Sequence, residues 1–236
     1  MKFLSCITLS AIALTTTFSL AYAKNDDFAR FTLVTPGTTQ FRFNNDGTNA
    51  SSFFTIAPVA VKFRYVIDNG TGLVDFDIDA LLNVTSVVGA PATYGVLTAT
   101  QKLQNVQMTF TGTGLGGGPT GNLLTLSGST GDLGGVLGFS DAGIAETDNG
   151  LGNPDHTITY SSAYLDFVNS TQRYYNISLN NLTPPLANGG TYIGSFNSDA
   201  TGLFGSNGLV PEPSTVALLV LGSFGLIVQR RKKSHC

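Results

Sequence analysis

The central part of this sequence predicts an all-β fold, an antiparallel β-sandwich or jelly-roll-like domain. Three observations carry that expectation. Only 11% of residues are charged, Gly numbers 28, and Thr, Ser and Asn are abundant, a composition suited to extended segments and turns. Gly, Pro, Asn and Asp punctuate short apolar runs, and these residues break or turn the chain. Within the runs apolar and polar residues alternate, the period of a strand with one buried face. An N-terminal signal helix and a short C-terminal transmembrane helix are expected to flank this domain.

Residues 1–23 are expected to be removed. Lys2 precedes an apolar run that closes on Ala21-Tyr22-Ala23, the layout of a secretory signal with small residues at the cleavage site. Cleavage is expected between Ala23 and Lys24. Cys6 lies at the start of the apolar run rather than after it, a poor position for a lipid anchor.

The domain is expected over 24–209. There seven cations face 14 acids, a net charge of −7, and no Cys is present. An acidic surface argues against nucleic acid, whose phosphates need cations. The clearest unit runs from Val59 to Asp79. Val59, Val61, Phe63, Tyr65 and Ile67 alternate with Ala60, Lys62, Arg64 and Val66, and Asn69-Gly70 follows, a strong two-residue hairpin signal. With that loop, Phe63 is expected opposite Phe76, Val61 opposite Ile78 and Tyr65 opposite Val74. On the other face Arg64 meets Asp75 and Lys62 meets Asp77. Further strands are expected near 28–34, 39–43, 81–88, 93–99, 106–111, 122–127, 156–160, 163–168, 174–179 and 191–197. The Gly- and Asp-rich stretches 112–121 and 128–155 read as loops, and the neighbourhood of Asn207-Gly208 as a linker.

The segment 210–236 is built differently. Val210-Pro211-Glu212-Pro213-Ser214 leads into an almost wholly apolar run, Val216 to Val228, and then Arg230-Arg231-Lys232-Lys233. As a helix that run would span about 20 Å, short against a hydrocarbon core of about 30 Å. The clustered cations stay cytoplasmic and place the preceding domain outside. The prolines resist helix and hold the chain extended before the span. This order of motif, apolar segment and basic cluster closely resembles the PEP-CTERM sorting tail of Gram-negative bacteria. The resemblance covers only the last 27 or so residues. It implies an exosortase, a membrane-embedded cysteine protease, as partner, and a transient inner-membrane anchor. It also implies a cell-surface or biofilm-matrix destination. It lends the domain an address and no chemistry.

Within the domain, candidate chemistry competes with plainer readings. Asp75, Asp77 and Asp79 share a strand face and suit calcium, a cation that takes several oxygens, or simple pairing with Lys62 and Arg64. Asp141, Glu146, Asp148, Asn149, Asn153 and Asp155 form an acidic stretch that suits a calcium loop or a solvated one, without EF-hand spacing. Gly112-Thr-Gly114-Leu-Gly-Gly117 formally matches a dinucleotide fingerprint but lacks the strand–helix context. His156, the domain's only histidine, is a general-base candidate without a nucleophile motif, or a residue at the start of a strand. Five Asn-x-Ser/Thr matches, at Asn49, Asn83, Asn169, Asn176 and Asn181, are expected by chance in so Asn-, Ser- and Thr-rich a chain. The expected function is therefore that of an exported structural or interaction module, with no catalytic residues and no required cofactor. A carbohydrate- or calcium-binding adhesive, touching surface polysaccharide, is the alternative, and a secreted hydrolase the second.

Overall fold

The computed structural model describes residues 26–37, 39–68, 73–74, 77–148, 156–207 and 210–211. The expected signal segment, the Asn69-Gly70 turn, Asp75, Phe76, Asn149, Asn153, Asp155 and everything from Glu212 onward lie outside the described residues. In chain order the strands are β1 (Asp26–Leu33), β2 (Phe41–Asn44), β3 (Ser52–Thr55), β4 (Val59–Tyr65), β5 (Ile67–Asp68), β6 (Leu73–Val74), β7 (Asp77–Val88), β8 (Thr93–Tyr94), β9 (Thr98–Thr113), β10 (Thr120–Val136), β11 (Ala142–Thr147), β12 (Ile158–Ser161), β13 (Leu165–Asp166), β14 (Thr171–Thr183), β15 (Phe196–Asn207) and β16 (Val210–Pro211). Among the described residues no helix is long and apolar enough to cross a membrane.

The antiparallel all-β expectation holds, but the two separate sheets of a sandwich are replaced by one that closes on itself. The order β1-β4-β7-β9-β10-β11-β14-β15 returns to β1 through a further β1–β15 pairing. Eight strands suit a barrel whose interior is filled by side chains. β2 and β3 extend the sheet from β15, where Phe196–Ser198 pair with Phe41–Phe43. The far edge of β3 is then satisfied by β7. Ser86 Oγ donates to Phe53 O at 2.9 Å and accepts from Phe53 N at 3.3 Å, and Val84 N donates to Thr55 Oγ1 at 3.1 Å. Hydroxyls here do what a backbone ladder does elsewhere, so the buried polar groups of β3 stay paired.

Strict alternation explains which side faces in. The twelve residues of β7 alternate between buried and more exposed positions throughout. Inward lie Phe31, Phe63, Phe110 and Phe204, with ring centroids 4.9 Å apart for Phe63–Phe110, 5.3 Å for Phe31–Phe110 and 5.4 Å for Phe110–Phe204. Outward from β4 and β7 point Lys62, Arg64, Asp77, Asp79, Asn83 and Thr85, none of them buried. An apolar interior and a polar exterior invert the pattern of a membrane-spanning barrel.

The β4–β7 register is shifted by two residues from expectation. Val61 faces Ala80, Lys62 faces Asp79, Phe63 faces Ile78 and Arg64 faces Asp77, and the same register continues as Ile67 against Val74 and Asp68 against Leu73. The connection is therefore the four residues 69–72 rather than two. A two-residue slip returns every side chain to its original face, so matching the faces could not detect it. The observed register seats Leu82 opposite Val59 and pairs both cations with acids. Much of the expected loop 128–155 is also strand. Residues 128–136 complete β10, and 142–147 form β11. Their glycines are sites of close approach rather than of turning. A Cβ at Gly131 would collide with the Tyr175 hydroxyl and lie 3.3 Å from Val106 Cγ2; on β15, one at Gly202 would likewise lie 2.6 Å from Phe31 Cε1. The expected linker is β15 as far as Asn207, and 163–168 and 191–197 shrink to β13 and to the start of β15.

Tyr175 donates to Thr130 O at 2.9 Å, so Gly131→Ala must displace a buried ring, and urea unfolding should show a loss of about 1–3 kcal/mol with unchanged slope. Burial, ahead of any other cause, raises Tyr65, Tyr160 and Tyr175 above the ordinary value of 10.0. A folded value above the unfolded one gives stability that is complete below that ordinary value and lost as pH rises past it. On alkaline titration, tyrosinate absorbance from these three should appear only together with loss of the β-sheet circular dichroism.

Candidate functional site

Two of the three acids of the acidic strand, Asp77 and Asp79, are paired with cations. Lys62 Nζ lies 2.6 Å from Asp79 Oδ1 and Arg64 Nε lies 2.7 Å from Asp77 Oδ1. The Arg64 hydrogen bond is the main cause that holds the Asp77 carboxyl below the usual carboxylate value. These are partly solvated pairs, so they contribute modestly to stability.

The acidic stretch from Asp141 is spread along a strand. Asp141 is exposed just before β11, whereas Glu146 lies near the end of β11, about 17 Å further on at 3.4 Å per residue. Glu146 Oε2 accepts from Thr130 Oγ1 at 2.7 Å, and Glu146 Oε1 lies 3.0 Å from His156 Nδ1. Asp148 sits 3.8 Å from Arg173 Nη1. Arg173 in turn donates to Ser170 Oγ at 2.7 Å and to Ile158 O at 3.0 Å. Among the described residues no three His, Cys, Asp or Glu side chains gather as metal ligands. His156, just before β12, thus ties that strand to β11 through Glu146. The glycine run 112–117 ends β9 and enters the β9–β10 turn, with one 3-10 turn at Leu115–Gly117, not the strand-to-helix turn a dinucleotide needs. Of the five Asn-x-Ser/Thr sites, three serve the fold: Asn49 Oδ1 accepts from Tyr192 at 2.6 Å, Asn83 Oδ1 accepts from Thr55 Oγ1 at 3.1 Å, and Asn181 donates to Asp199 at 3.0 Å.

Asp199 is the acid that sequence reading passed over. It is buried on β15 and accepts from Gly37 N at 2.5 Å, Thr39 N at 3.1 Å and Asn181 Nδ2. It fastens the β1–β2 connection to the barrel. Nothing around it in sequence marks it, because its donors come from remote segments. Asp199→Ala strands three donors, and denaturant unfolding should show a loss of about 2–4 kcal/mol.

One further group of residues lies beside the barrel. Val210 pairs with Asp166 and Pro211 with Leu165, so β16 lies antiparallel to β13 as a separate two-stranded sheet. Leu165 and Phe167 are buried, and the Phe167 ring packs 5.3 Å from Phe28 and 5.4 Å from Tyr160. The body therefore fixes β13, and β13 receives the start of the C-terminal segment. Residues 209–232 match the family model of the PEP-CTERM protein-sorting motif. The C-terminal segment is a PEP-CTERM sorting tail. Neither a curated protein nor a solved structure matches the chain. Of the tail's motif, Val210 and Pro211 are extended, as two nearby prolines require. Glu212, Pro213, Ser214 and the basic cluster Arg230 to Lys233 lie outside the described residues, as do Ala21, Ala23 and Lys24.

Proposed function

We propose that this protein is an exported cell-surface or extracellular-matrix protein, sorted and processed by an exosortase through its PEP-CTERM tail. The body is a structural or interaction module without catalytic activity. The observation that carries the reading is the motif match at residues 209–232, in a chain whose first 23 residues have the layout of a secretory signal. The apolar run 216–228 grips the inner membrane, Arg230 to Lys233 stay in the cytosol, and the body lies outside. The motif then sits at the outer face of the membrane, where the exosortase removes the tail.

The body's construction supports a durable module. It closes its sheet, buries a Phe-rich interior and pairs Asp77 and Asp79 with Arg64 and Lys62. At the end of the barrel where β8–β9 and β10–β11 connect, Val96 is 97%, Leu97 67% and Phe139 60% exposed. Exposed apolar side chains on adjoining loops suit contact with other macromolecules at the surface. No cofactor enters this reading, and surface polysaccharide is one class of matrix contact it allows.

Mass spectrometry of the protein recovered from the cell surface tests the reading. The expected chain begins at Lys24 and ends close to Pro211–Pro213, with the apolar run gone. Surface material that still ends in Cys236 overturns it. In cells, deletion of Arg230 through Lys233 should abolish maturation.

A further inference from the structure

We propose that the edge of β13 is a docking site for this chain's own sorting motif, and that the motif reaches its protease only after leaving that edge. The inference rests on the exosortase reading above and adds a step before cleavage.

The first support is the edge itself. Among the described residues β13 pairs with no strand of the body, only with Val210–Pro211. It is nonetheless rigidly held. Ala163 N donates to Asn122 O at 2.9 Å, Tyr164 Oη to Thr120 O at 2.7 Å, and Arg173 Nη2 to Phe167 O at 3.4 Å. A fixed, otherwise unpaired strand edge is a template for another strand. The motif is close at hand, since only residues 208 and 209 separate the end of β15 from Val210. So short a tether makes the pairing intramolecular, with a high effective concentration.

The second support is the chemistry of Pro-Glu-Pro. In an antiparallel ladder, opposed pairs alternate between exchanging both backbone bonds and exchanging none. Pro211 has no N–H, so Leu165–Pro211 is the non-exchanging pair and Asp166–Val210 the exchanging one. Pro213 has the same parity as Pro211. As a strand, the motif therefore carries all its N–H groups on one edge, through Val210, Glu212 and Ser214, while its other edge lacks donors. It can pair fully on one side only. A protease that binds an extended substrate by strand addition needs that same side. Docking on β13 and engagement by the protease thus exclude one another.

The test uses the full chain in membranes. Amide exchange is followed by mass spectrometry on the segment 163–168, in the natural protein and in Val210→Pro, which removes the donor facing β13 and leaves the body untouched. The Asp166 amide should exchange about tenfold faster in the variant, the size expected for losing one or two backbone bonds. Equal exchange overturns the dock. Processing by an exosortase is then compared between the natural protein and Asp166→Pro, whose motif is intact and whose fold is checked by an unchanged Tm. Cleavage should accelerate by up to the same factor, because the competent fraction rises. If the natural protein is cut and the variant is cut no faster, mutual exclusion is overturned. If the natural protein is not cut at all, the sorting reading fails, and the dock then stands or falls on exchange alone.

Discussion

The seam between β1 and β15 is the interaction on which the rest of the molecule depends. Five residues of β1, from Asp26 to Phe31, pair with Gly202–Ser206, while the same strand pairs with β4 on its other side. Without that seam, two long edges would open and the aromatic interior would lose a wall, since Phe31 and Phe204 come from the two seam strands. With it, the body needs no disulfide: it contains no Cys and no Trp, and interlocked phenylalanines supply the core. Bulges in the β1–β15, β7–β9 and β9–β10 pairings bend the strands, which helps a sheet close.

Closure also frames what the C-terminal segment meets. A closed sheet offers few edges, and β3 has its outer edge covered by β7, through the Ser86 hydroxyl and the Val84 amide. β13 lies outside the ring, pinned by Leu165 and Phe167, with its backbone turned to Val210 and Pro211. Body and sorting tail are therefore physically joined at the point where the motif begins. Several polar side chains of the body tie its strands and connections together. Asp199 is the plainest case, a buried carboxylate used as a clasp between β15 and the β1–β2 connection.

The sequence made the strands and their faces legible where alternation is strict, as in Val59–Tyr65 and Asp77–Val88. It could not give their register, because a two-residue slip keeps faces, charges and apolar pairs all consistent. It hid the second half of β10 and most of β15, since Gly131 and Gly202 look like turn residues until Tyr175 and Phe31 are seen to occupy the space beside them. Closure was out of reach for a different reason: Arg30 and Leu203 are joined by no local signal. The sorting tail was the reverse case. Its order of motif, apolar run and cations is local and linear, so it was readable at once, whereas its dock, two residues at Leu165–Asp166, was not. Low charge, net acidity and absent Cys bounded the body's class without naming its partner.

Backbone NMR of the mature body tests closure most directly, through cross-strand contacts made by β1. The account predicts contacts on both sides at once: Arg30 to Arg64 and Phe31 to Phe63 on one, Arg30 to Leu203 and Phe31 to Gly202 on the other. Contacts to β4 alone, with rapidly exchanging amides along the opposite edge of β1, would show an open sheet and contradict it.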